Sequence, residues 1–464
     1  ATLLTLIVLP VLYVMVEQWQ TKRGAPSASD APHPPSTSAR RNNGGLHTLL
    51  VWVAFIGTMF FGIIAPSSTL RAQMPVFTLE QAISTALRNN PALQAATTEI
   101  DLQRALQRTS TEIGKTSVLL MLGQYNSAAQ DNNLTLTQTI PFPTTFTSQS
   151  AYWDAVIRGA ELKRSLSRNE LVMAVKSAFY HLTVLLERER LLQEQDTLTK
   201  AFAKAAAIRY TTGESTQLAA STAALQASEQ EALLRQIRAD IATAERQLQM
   251  LLASEAPVRI AQTGSLKYTL QMPDETTVLR HNPLYAFIKQ QASVAAAQQA
   301  LEGARVLPDV QIGYFSQTLI GTQEGGRTFG ANDRFAGVQI GLALPLWITP
   351  HLAKIEAASL AHDIAVINAN AVRVQIVGEY NKAVQQFLKF AATIEYYEKS
   401  ALPQAELIQT TARKSFERGE ISYVEYGQSL TRVLAVKTNY CESLLQYNQA
   451  ALTLELLAGS AVSE

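Results

Sequence analysis

Two kinds of hydrophobic spacing alternate along residues 76–460. Apolar residues recur every three or four positions in long segments, which predicts amphipathic helices, and these segments are separated by short runs in which apolar and polar residues alternate. The same order of segments occurs twice. The predicted helical segments are, in chain order, Thr78 to about Lys115, Pro143–Gly213, Ser215–Ser254, Thr276–Val306, Trp347–Gly419 and Ile421–Gly459.

Three pairs of matching segments identify an internal repeat. ALRNNPALQA at Ala86–Ala95 matches VLRHNPLYAF at Val278–Phe287, about 200 positions further on. Two further pairs follow in the same order: Ile140–Phe142 with Leu344–Leu346, and Arg209–Leu218 with Ser415–Val424. The separation is larger for these later pairs, which predicts an insertion in the second copy, with Thr322–Asp333 as the candidate. We assign the copies to residues 76–260 and 261–460.

Each copy contains an alternating pattern that predicts one β-hairpin. In the first copy the alternation covers Leu134–Ile140, with Ser117–Tyr125 as the partner strand, and in the second it covers Val338–Leu344, with Val310–Ser316 as partner. Strands of about 9–11 residues with one apolar face are typical of membrane β-barrels. For one hairpin alone, packing on helices of a soluble protein is an equal alternative.

The helices that follow the hairpins are too long for a compact core. At 1.5 Å per residue, Pro143–Gly213 and Trp347–Gly419 would each extend about 100 Å if continuous. The first carries the 3,4,3,4 spacing of a coiled-coil seam. Gly213 and Gly419 end the long helices, and glycine favours the left-handed conformation that closes a helix. The seam residues are Val172, Val175, Phe179, Leu182 and Leu186.

The number of strands predicts an oligomer. Two hairpins supply four strands, whereas the smallest membrane barrels need about eight to remove their edges. Two chains would supply eight strands and three would supply twelve. A trimer with a twelve-stranded barrel, continuous with a helical tunnel, accounts for both the hairpins and the long helices.

The first 75 residues differ from the rest in composition. Residues 1–24 are predicted to be the end of an inner-membrane helix, since the apolar run Ala1–Val16 precedes Lys22 and Arg23; a signal-peptide core is the alternative. Residues 25–45 are rich in Pro and Ser and are predicted to be a disordered linker. Residues 46–73 contain the apolar run Leu49–Ala65, which predicts either an internal signal segment or an uncleaved anchor.

Charge and cysteine content exclude several classes of function. Lys and Arg number 39 against 38 for Asp and Glu, a net charge of +1, so we expect no nucleic-acid partner. Charged residues make up 17% of the chain, fewer than in average soluble proteins, which indicates membrane contact. Cys441 is the single cysteine and is expected to be a small buried residue, so disulfide and multi-cysteine metal sites are excluded.

Neither an enzyme nor a cofactor is expected from the motifs. The sequence contains no phosphate-binding glycine loop, nucleophile elbow or paired-carboxylate cleft. The histidines do not show the spacing of a metal site, so none is predicted. They are His33, His47, His181, His281, His351 and His362.

Several motifs between Phe77 and Gly459 are typical of one protein family. They are TLEQAISTALRNNPAL at Thr78–Leu93, the strand-to-helix prolines Pro141 and Pro345, LPQAE at Leu402–Glu406, and above all SFERGEISYVEYGQSLTRV at Ser415–Val433. On these motifs the chain resembles the TolC family of outer-membrane efflux proteins. This resemblance implies a mainly helical fold with a small membrane β part, and a homotrimer in the outer membrane with a helical conduit in the periplasm. It also implies passive export for an inner-membrane pump of the resistance-nodulation-division (RND) type and its periplasmic adaptor.

The resemblance also implies roles for particular residues. Gly213, Glu214, Gly419 and Glu420 would contact the adaptor at the hairpin tips; ordinary turns are the alternative. Many relatives have Tyr at Phe416, so a tyrosine hydroxyl network closing the aperture is not expected. Glu425 is a candidate for a lumenal carboxylate ring that would attract cations, with a solvated outer position as the alternative.

A second resemblance covers Thr2–Glu17, which is similar to the end of the last transmembrane helix of RND pumps. LPVLY at Leu9–Tyr13 is most similar to their heavy-metal branch. Gln73 and Met74 follow the second apolar run, so no lipidated cysteine is predicted there. The leading hypothesis is an exit duct for an efflux system, with heavy-metal cations or amphiphiles such as drugs as cargo. A coiled-coil scaffold or adaptor anchored by Leu49–Ala65 is the alternative, and too few transmembrane segments are present for a complete pump.

Overall fold

The computed structural model describes residues 76–126, 128–261 and 265–459. The segments predicted for residues 1–24, 25–45 and 46–73 lie outside the described residues. The helices are α1 Leu79–Asn89, α2 Pro91–Gln107, α3 Pro143–Thr211, α4 Gln217–Leu251, α5 Glu275–His281, α6 Pro283–Ala304, α7 Ile348–Tyr396, α8 Leu402–Glu417 and α9 Tyr423–Ala458. The strands are β1 Val76–Phe77, β2 Ser117–Gly123, β3 Asp131–Ile140, β4 Arg259–Ile260, β5 Asp309–Thr318, β6 Gln323–Glu324, β7 Arg327–Thr328 and β8 Arg334–Ala343.

The opening helical segment of each copy is two helices, whereas the hydrophobic spacing predicts one. The break falls at the Asn-Pro pair in both copies. Asn90 Oδ1 accepts a hydrogen bond of 2.9 Å from the Ala92 N–H, and Asn282 Oδ1 accepts one of 2.9 Å from the Tyr285 N–H. A residue before proline avoids the helical conformation, and proline fits the first helical turn. Each pair therefore starts a new helix.

The two long helices differ in continuity. Helix α3 runs unbroken for 69 residues. In the second copy a π-helical turn at Tyr397–Ala401 separates α7 from α8, and the Leu402 N–H donates to the Tyr397 carbonyl. Pro403 follows this turn and lacks the N–H that a regular helix needs, so the wider turn accommodates the missing hydrogen bond.

Four strands form one antiparallel sheet in the order β2-β3-β5-β8. Each predicted hairpin is present, as β2 with β3 and as β5 with β8, and β3 and β5 join the two copies. In the connection between β5 and β8, the predicted insertion Thr322–Asp333 holds the small hairpin β6–β7. The chain is thus mainly helical with a small β part, as the sequence predicts.

The largest core packs α3 against α4 and α1. Four residues of the predicted seam, Val172, Val175, Phe179 and Leu182, are buried, and Leu186 packs against the same core. Cys441 is buried in another core formed by α3, α7 and α9. The coiled-coil packing predicted from the spacing is therefore present within one chain. Across the described residues, no helix combines the length and the apolar character needed to cross a membrane.

Candidate functional site

Each long helical hairpin ends in a turn with the same hydrogen bonds. Gly213 has φ 77° and Gly419 has φ 76°, both in the left-handed region. The Gly213 N–H donates to the Tyr210 carbonyl at 3.1 Å and the Glu214 N–H to the Arg209 carbonyl at 2.8 Å. The second tip repeats this arrangement, in which two backbone N–H groups close the last turn of a helix. Its bonds run from Gly419 to Phe416 at 3.0 Å and from Glu420 to Ser415 at 2.8 Å.

The helices that return from the tips begin at hydroxyl caps. Thr216 Oγ1 accepts from the Ala219 N–H at 3.2 Å, and at the equivalent place Ser422 Oγ accepts from the Glu425 N–H at 3.3 Å. The second copy adds a reciprocal bond, because Glu425 Oε2 accepts from the Ser422 N–H at 2.7 Å. This backbone hydrogen bond lowers the pKa of the Glu425 carboxyl. Glu425 thus caps α9 at the tip, and its place in a lumenal ring stays a prediction.

Near the tips an aromatic cluster connects the two hairpins. Phe416 of α8 stacks on Tyr426 of α9 with ring centroids 4.7 Å apart, and Phe202 of α3 meets both rings edge-on, at 5.7 Å and 5.3 Å. The Arg209 guanidinium lies 5.9 Å from the centroid of Phe416. Phe416 therefore bridges the two hairpins by ring contacts alone. Sequence reasoning did not find Phe202, whose helical spacing is that of ordinary core residues.

A shallow apolar groove of about 440 Å³ lies between α8 and α9 just above the second tip. Leu407 and Ile421 line its apolar part, and Glu425 and Ser429 line its polar edge. This groove and the tip glycines are the surfaces of the second hairpin that a partner protein could contact.

The strand-to-helix prolines lie where the sheet joins the long helices. Pro141 comes directly after β3, two residues before α3 begins, and Pro345 lies between β8 and α7. Proline has no backbone N–H to donate to a neighbouring strand, and it keeps the residue before it out of the helical conformation. Each proline therefore ends the strand before the helix begins. Trp347, the residue before α7, is 84% exposed.

In β3, β5 and β8 the sheet has one apolar and one polar face, whereas β2 carries apolar side chains on both faces. Val338, Ile340 and Leu342 of β8 point to the apolar face and are 70%, 81% and 64% exposed. The residues between them face the other way and pair with Gly and Gln of β5. We call this other side the polar face; it carries Thr135, Thr137 and Thr139 of β3, Gln311, Gly313, Phe315 and Gln317 of β5, and Phe335, Gly337, Gln339 and Gly341 of β8.

A buried ion pair connects the middle of α3 in the first copy with the end of α9 in the second. Lys176 Nζ of α3 lies 2.6 Å from Glu455 Oε1 of α9, and the Tyr268 hydroxyl donates to Glu455 Oε2 at 2.5 Å. Burial, followed by this hydrogen bond, raises the pKa of Tyr268. No sequence pattern predicts this group, because Lys176 and Glu455 are 279 positions apart.

The side chains that could bind a metal ion are the histidines, the cysteine and the carboxylates. Among residues 76–126, 128–261 and 265–459, no three His, Cys, Asp or Glu side chains are grouped so that they could hold a metal ion. Burial raises the pKa of Cys441 to about 11, which keeps the thiol protonated at neutral pH. His33 and His47 lie outside the described residues.

The second copy matches a known family. Residues 277–460 match the family described as outer membrane efflux protein. Over 432 residues the chain is 23% identical to the cobalt-zinc-cadmium resistance protein CzcC of Cupriavidus metallidurans, an alignment that covers 88% of this chain and 97% of CzcC.

Solved outer-membrane channels have the same fold. CusC superposes with a TM-score of 0.69 at 16% identity, over 83% of this chain and 92% of CusC. VceC of Vibrio cholerae gives a TM-score of 0.66 at 19% identity, over 82% of this chain and 96% of VceC. The second copy therefore matches the outer membrane efflux protein family, and the chain has the fold of these solved channels, as the sequence motifs predict. Members of the matched family are outer-membrane channels with a periplasmic helical part, and the family is one of efflux ducts rather than of enzymes.

Proposed function

We propose that three copies of this chain assemble into one exit duct, with a twelve-stranded barrel in the outer membrane and a helical tunnel below it. The observation that carries the proposal is the open four-stranded sheet, whose order leaves β2 and β8 at its edges. An open edge of this length favours pairing with another strand, and closure into a barrel removes it. Pairing β8 of one copy with β2 of the next would close the ring.

The two faces of the sheet fit this arrangement. In membrane barrels the outward side chains are apolar and the interior ones are polar. The apolar face, with Val338 and Ile340, would contact lipid, and the polar face would line the duct. Trp347 at the strand-to-helix boundary would lie at the membrane interface, where tryptophan is enriched.

Helix α7 supplies a surface for neighbouring copies. Its exposed apolar residues recur at helical spacing, and such a stripe is stabilised when another helix covers it. Adjacent copies would cover it and complete the tunnel wall. The stripe consists of Leu360, Ile364, Ile367 and Val374.

The partners of this duct would be a periplasmic adaptor and an inner-membrane RND pump, together forming a tripartite efflux system. Gly213, Glu214, Gly419 and Glu420 form the hairpin turns farthest along the chain from the sheet, which suits contact with an adaptor. Transport would be passive in the duct, and the pump would supply the energy.

We propose divalent transition-metal cations as cargo. The support is the relative CzcC, named for cobalt, zinc and cadmium resistance, which aligns over 88% of this chain. The resemblance of Thr2–Glu17 to a heavy-metal pump points the same way. An export of amphiphiles instead would appear as dye or drug sensitivity without metal sensitivity when the gene is deleted.

The test combines membrane fractionation with the state of assembly. Inner and outer membranes are separated on a density gradient and probed with an antibody against Ser215–Ser254. We expect an outer-membrane band near the mass of residues 73–464 that migrates as a trimer until it is heated. A full-length, monomeric band in the inner membrane alone would contradict the duct and favour the anchored scaffold.

A further inference from the structure

On the polar face, glycine and long side chains alternate between β5 and β8. Gln311 pairs with Gly341, Gly313 with Gln339, and Phe315 with Gly337. In each pair only one strand contributes a side chain of any size. Each glycine therefore leaves open space beside the side chain with which it is paired.

At one of these pairs the side chain lies directly over the glycine. A Cβ added to Gly337 would lie 2.7 Å from Cε1 and 2.8 Å from Cζ of Phe315. The ring thus occupies the space in which a side chain at position 337 would stand, an arrangement in which an aromatic residue covers a glycine across the strands. At Gly341 the nearest atom, Cβ of Gln311, would be 3.8 Å away, which is an ordinary contact.

The same face carries little charge. Among the described strand residues on it, the charged side chains are Asp131 and Asp309, at the ends of β3 and β5. Asp131 is buried and accepts hydrogen bonds from the Thr318 hydroxyl at 3.0 Å and the Ile320 N–H at 2.7 Å. Between these ends the face presents hydroxyls, amides, glycines and the uncharged side chains of Phe315, Phe335, Leu119 and Met121, so this wall offers passing ions no opposite charge.

We propose that Phe315 sets the width of the outer part of the duct and that Gly337 keeps the ring flat against the wall. This part would then select solutes by their cross-section rather than by their charge. Phe315 is three residues from the end of β5, or about 10 Å from the outer end of the sheet. In a trimer three rings would stand at this level. The inference rests on the proposed function, since only a closed ring of strands has an interior.

Replacing Gly337 by alanine is expected to move the ring without unfolding the sheet. Gly337 is not among the glycines with positive φ, so its backbone accepts a side chain. The atoms that the new Cβ would meet belong to the far edge of the ring, which can rotate about χ1. Because the wall side is then occupied, the ring would turn toward the axis and narrow the duct.

The experiment measures which reagents pass this level in intact cells. One reporter cysteine, Thr137→Cys, pairs with Gly313 and lies on the inner side of Phe315; another, Gln317→Cys, lies on its outer side. The native Cys441 is buried. Each reporter is labelled from outside with polyethylene-glycol maleimides of graded mass, in the wild-type background and with Gly337→Ala, Phe315→Ala, both together, or Gly341→Ala as the matched control.

The measured quantity is the largest maleimide reagent that still labels the cysteine of Thr137→Cys. We expect Gly337→Ala to lower this size limit by at least one polymer size, and Phe315→Ala to raise it. The double variant should behave as Phe315→Ala, Gly341→Ala as wild type, and Gln317→Cys should be labelled alike throughout. If Thr137→Cys has one size limit in all backgrounds, Phe315 does not set the width. If even the smallest reagent reaches neither reporter in wild type, the polar face does not line a duct and the proposed function itself fails.

Discussion

Lys176 and Glu455 form an ion pair of 2.6 Å with 13% and 8% of their side chains exposed. The pair joins the long helix of the first copy to the last helix of the second. The Tyr268 hydroxyl binds the other carboxylate oxygen, and the Tyr268 N–H donates to Asn448 of α9 at 2.8 Å. The segment that connects the copies is thus held against α9 by the same group.

Removing one partner of this pair is expected to be costly. In Lys176→Met the Glu455 carboxylate keeps its burial but loses the ammonium, and breaking a buried pair costs about 3–5 kcal/mol. The midpoint of thermal unfolding of the detergent-solubilised protein measures the effect. Lys399→Met is the matched control, because Lys399 pairs with Glu395 at 2.6 Å on the surface, where solvent screens the pair and a much smaller shift of the midpoint is expected. Equal midpoints for the two variants would contradict the structural role of the buried pair.

The aromatic cluster is expected to hold the tips of the two hairpins together. Phe202→Ala removes both edge contacts, and truncating a buried phenylalanine costs about 3–5 kcal/mol. Hydrogen exchange should become faster in residues 412–430 and 199–211, and cells should admit bulky antibiotics that wild type excludes. Phe416→Tyr keeps the stacking on Tyr426 and serves as the control. Unchanged exchange in Phe202→Ala would show that the hairpins are held by other contacts.

The tip glycines are expected to be sensitive to substitution for a backbone reason. Gly213→Ala and Gly419→Ala place a Cβ in the left-handed region, at a cost of about 1–2 kcal/mol each. Gly378→Ala in α7 is the control: a Cβ there meets no atom within 4 Å, and alanine favours a helix by about 0.5–1 kcal/mol. Limited proteolysis at the tips should therefore be faster in the first two variants only. Equal cleavage rates in all three would argue against the left-handed turns.

The cap at Glu425 predicts a pH dependence of the second tip. Its folded pKa is lowered by the Ser422 N–H, so the carboxylate stabilises the start of α9 above the unfolded pKa, about 4.3 for glutamate. This contribution is lost as the pH falls through the lowered folded value. Pepsin cleavage near residue 422 should increase in wild type over this acidic range, relative to cleavage at the first tip. Glu425→Gln should abolish that relative change, and its persistence would show that another group is responsible.

The repeat itself explains why much of the fold was predictable. Helices, strands and tips follow from spacing and from residues such as Gly213 and Pro141, because their hydrogen bonds are local or pair neighbouring strands. The helix breaks at Asn90 and Asn282 were predictable in principle from the Asn-Pro pairs. Apolar spacing continues across both pairs, so the spacing alone predicts one helix instead of two. The π-helical turn at Tyr397–Ala401 follows from Pro403 only when the helix is known to continue past it.

The sequence by itself determined the two copies, the element types, the face on which each strand residue lies and the resemblance to outer-membrane efflux proteins. Only the tertiary structure decided that β3 pairs with β5, that Lys176 meets Glu455, that Phe202 packs edge-on against the stacked rings of Phe416 and Tyr426, and that Phe315 covers Gly337. The physical reason is the distance along the chain between the interacting residues. Periodicity records how each segment buries its own apolar face, whereas contacts between distant segments depend on how all helices and strands pack at once.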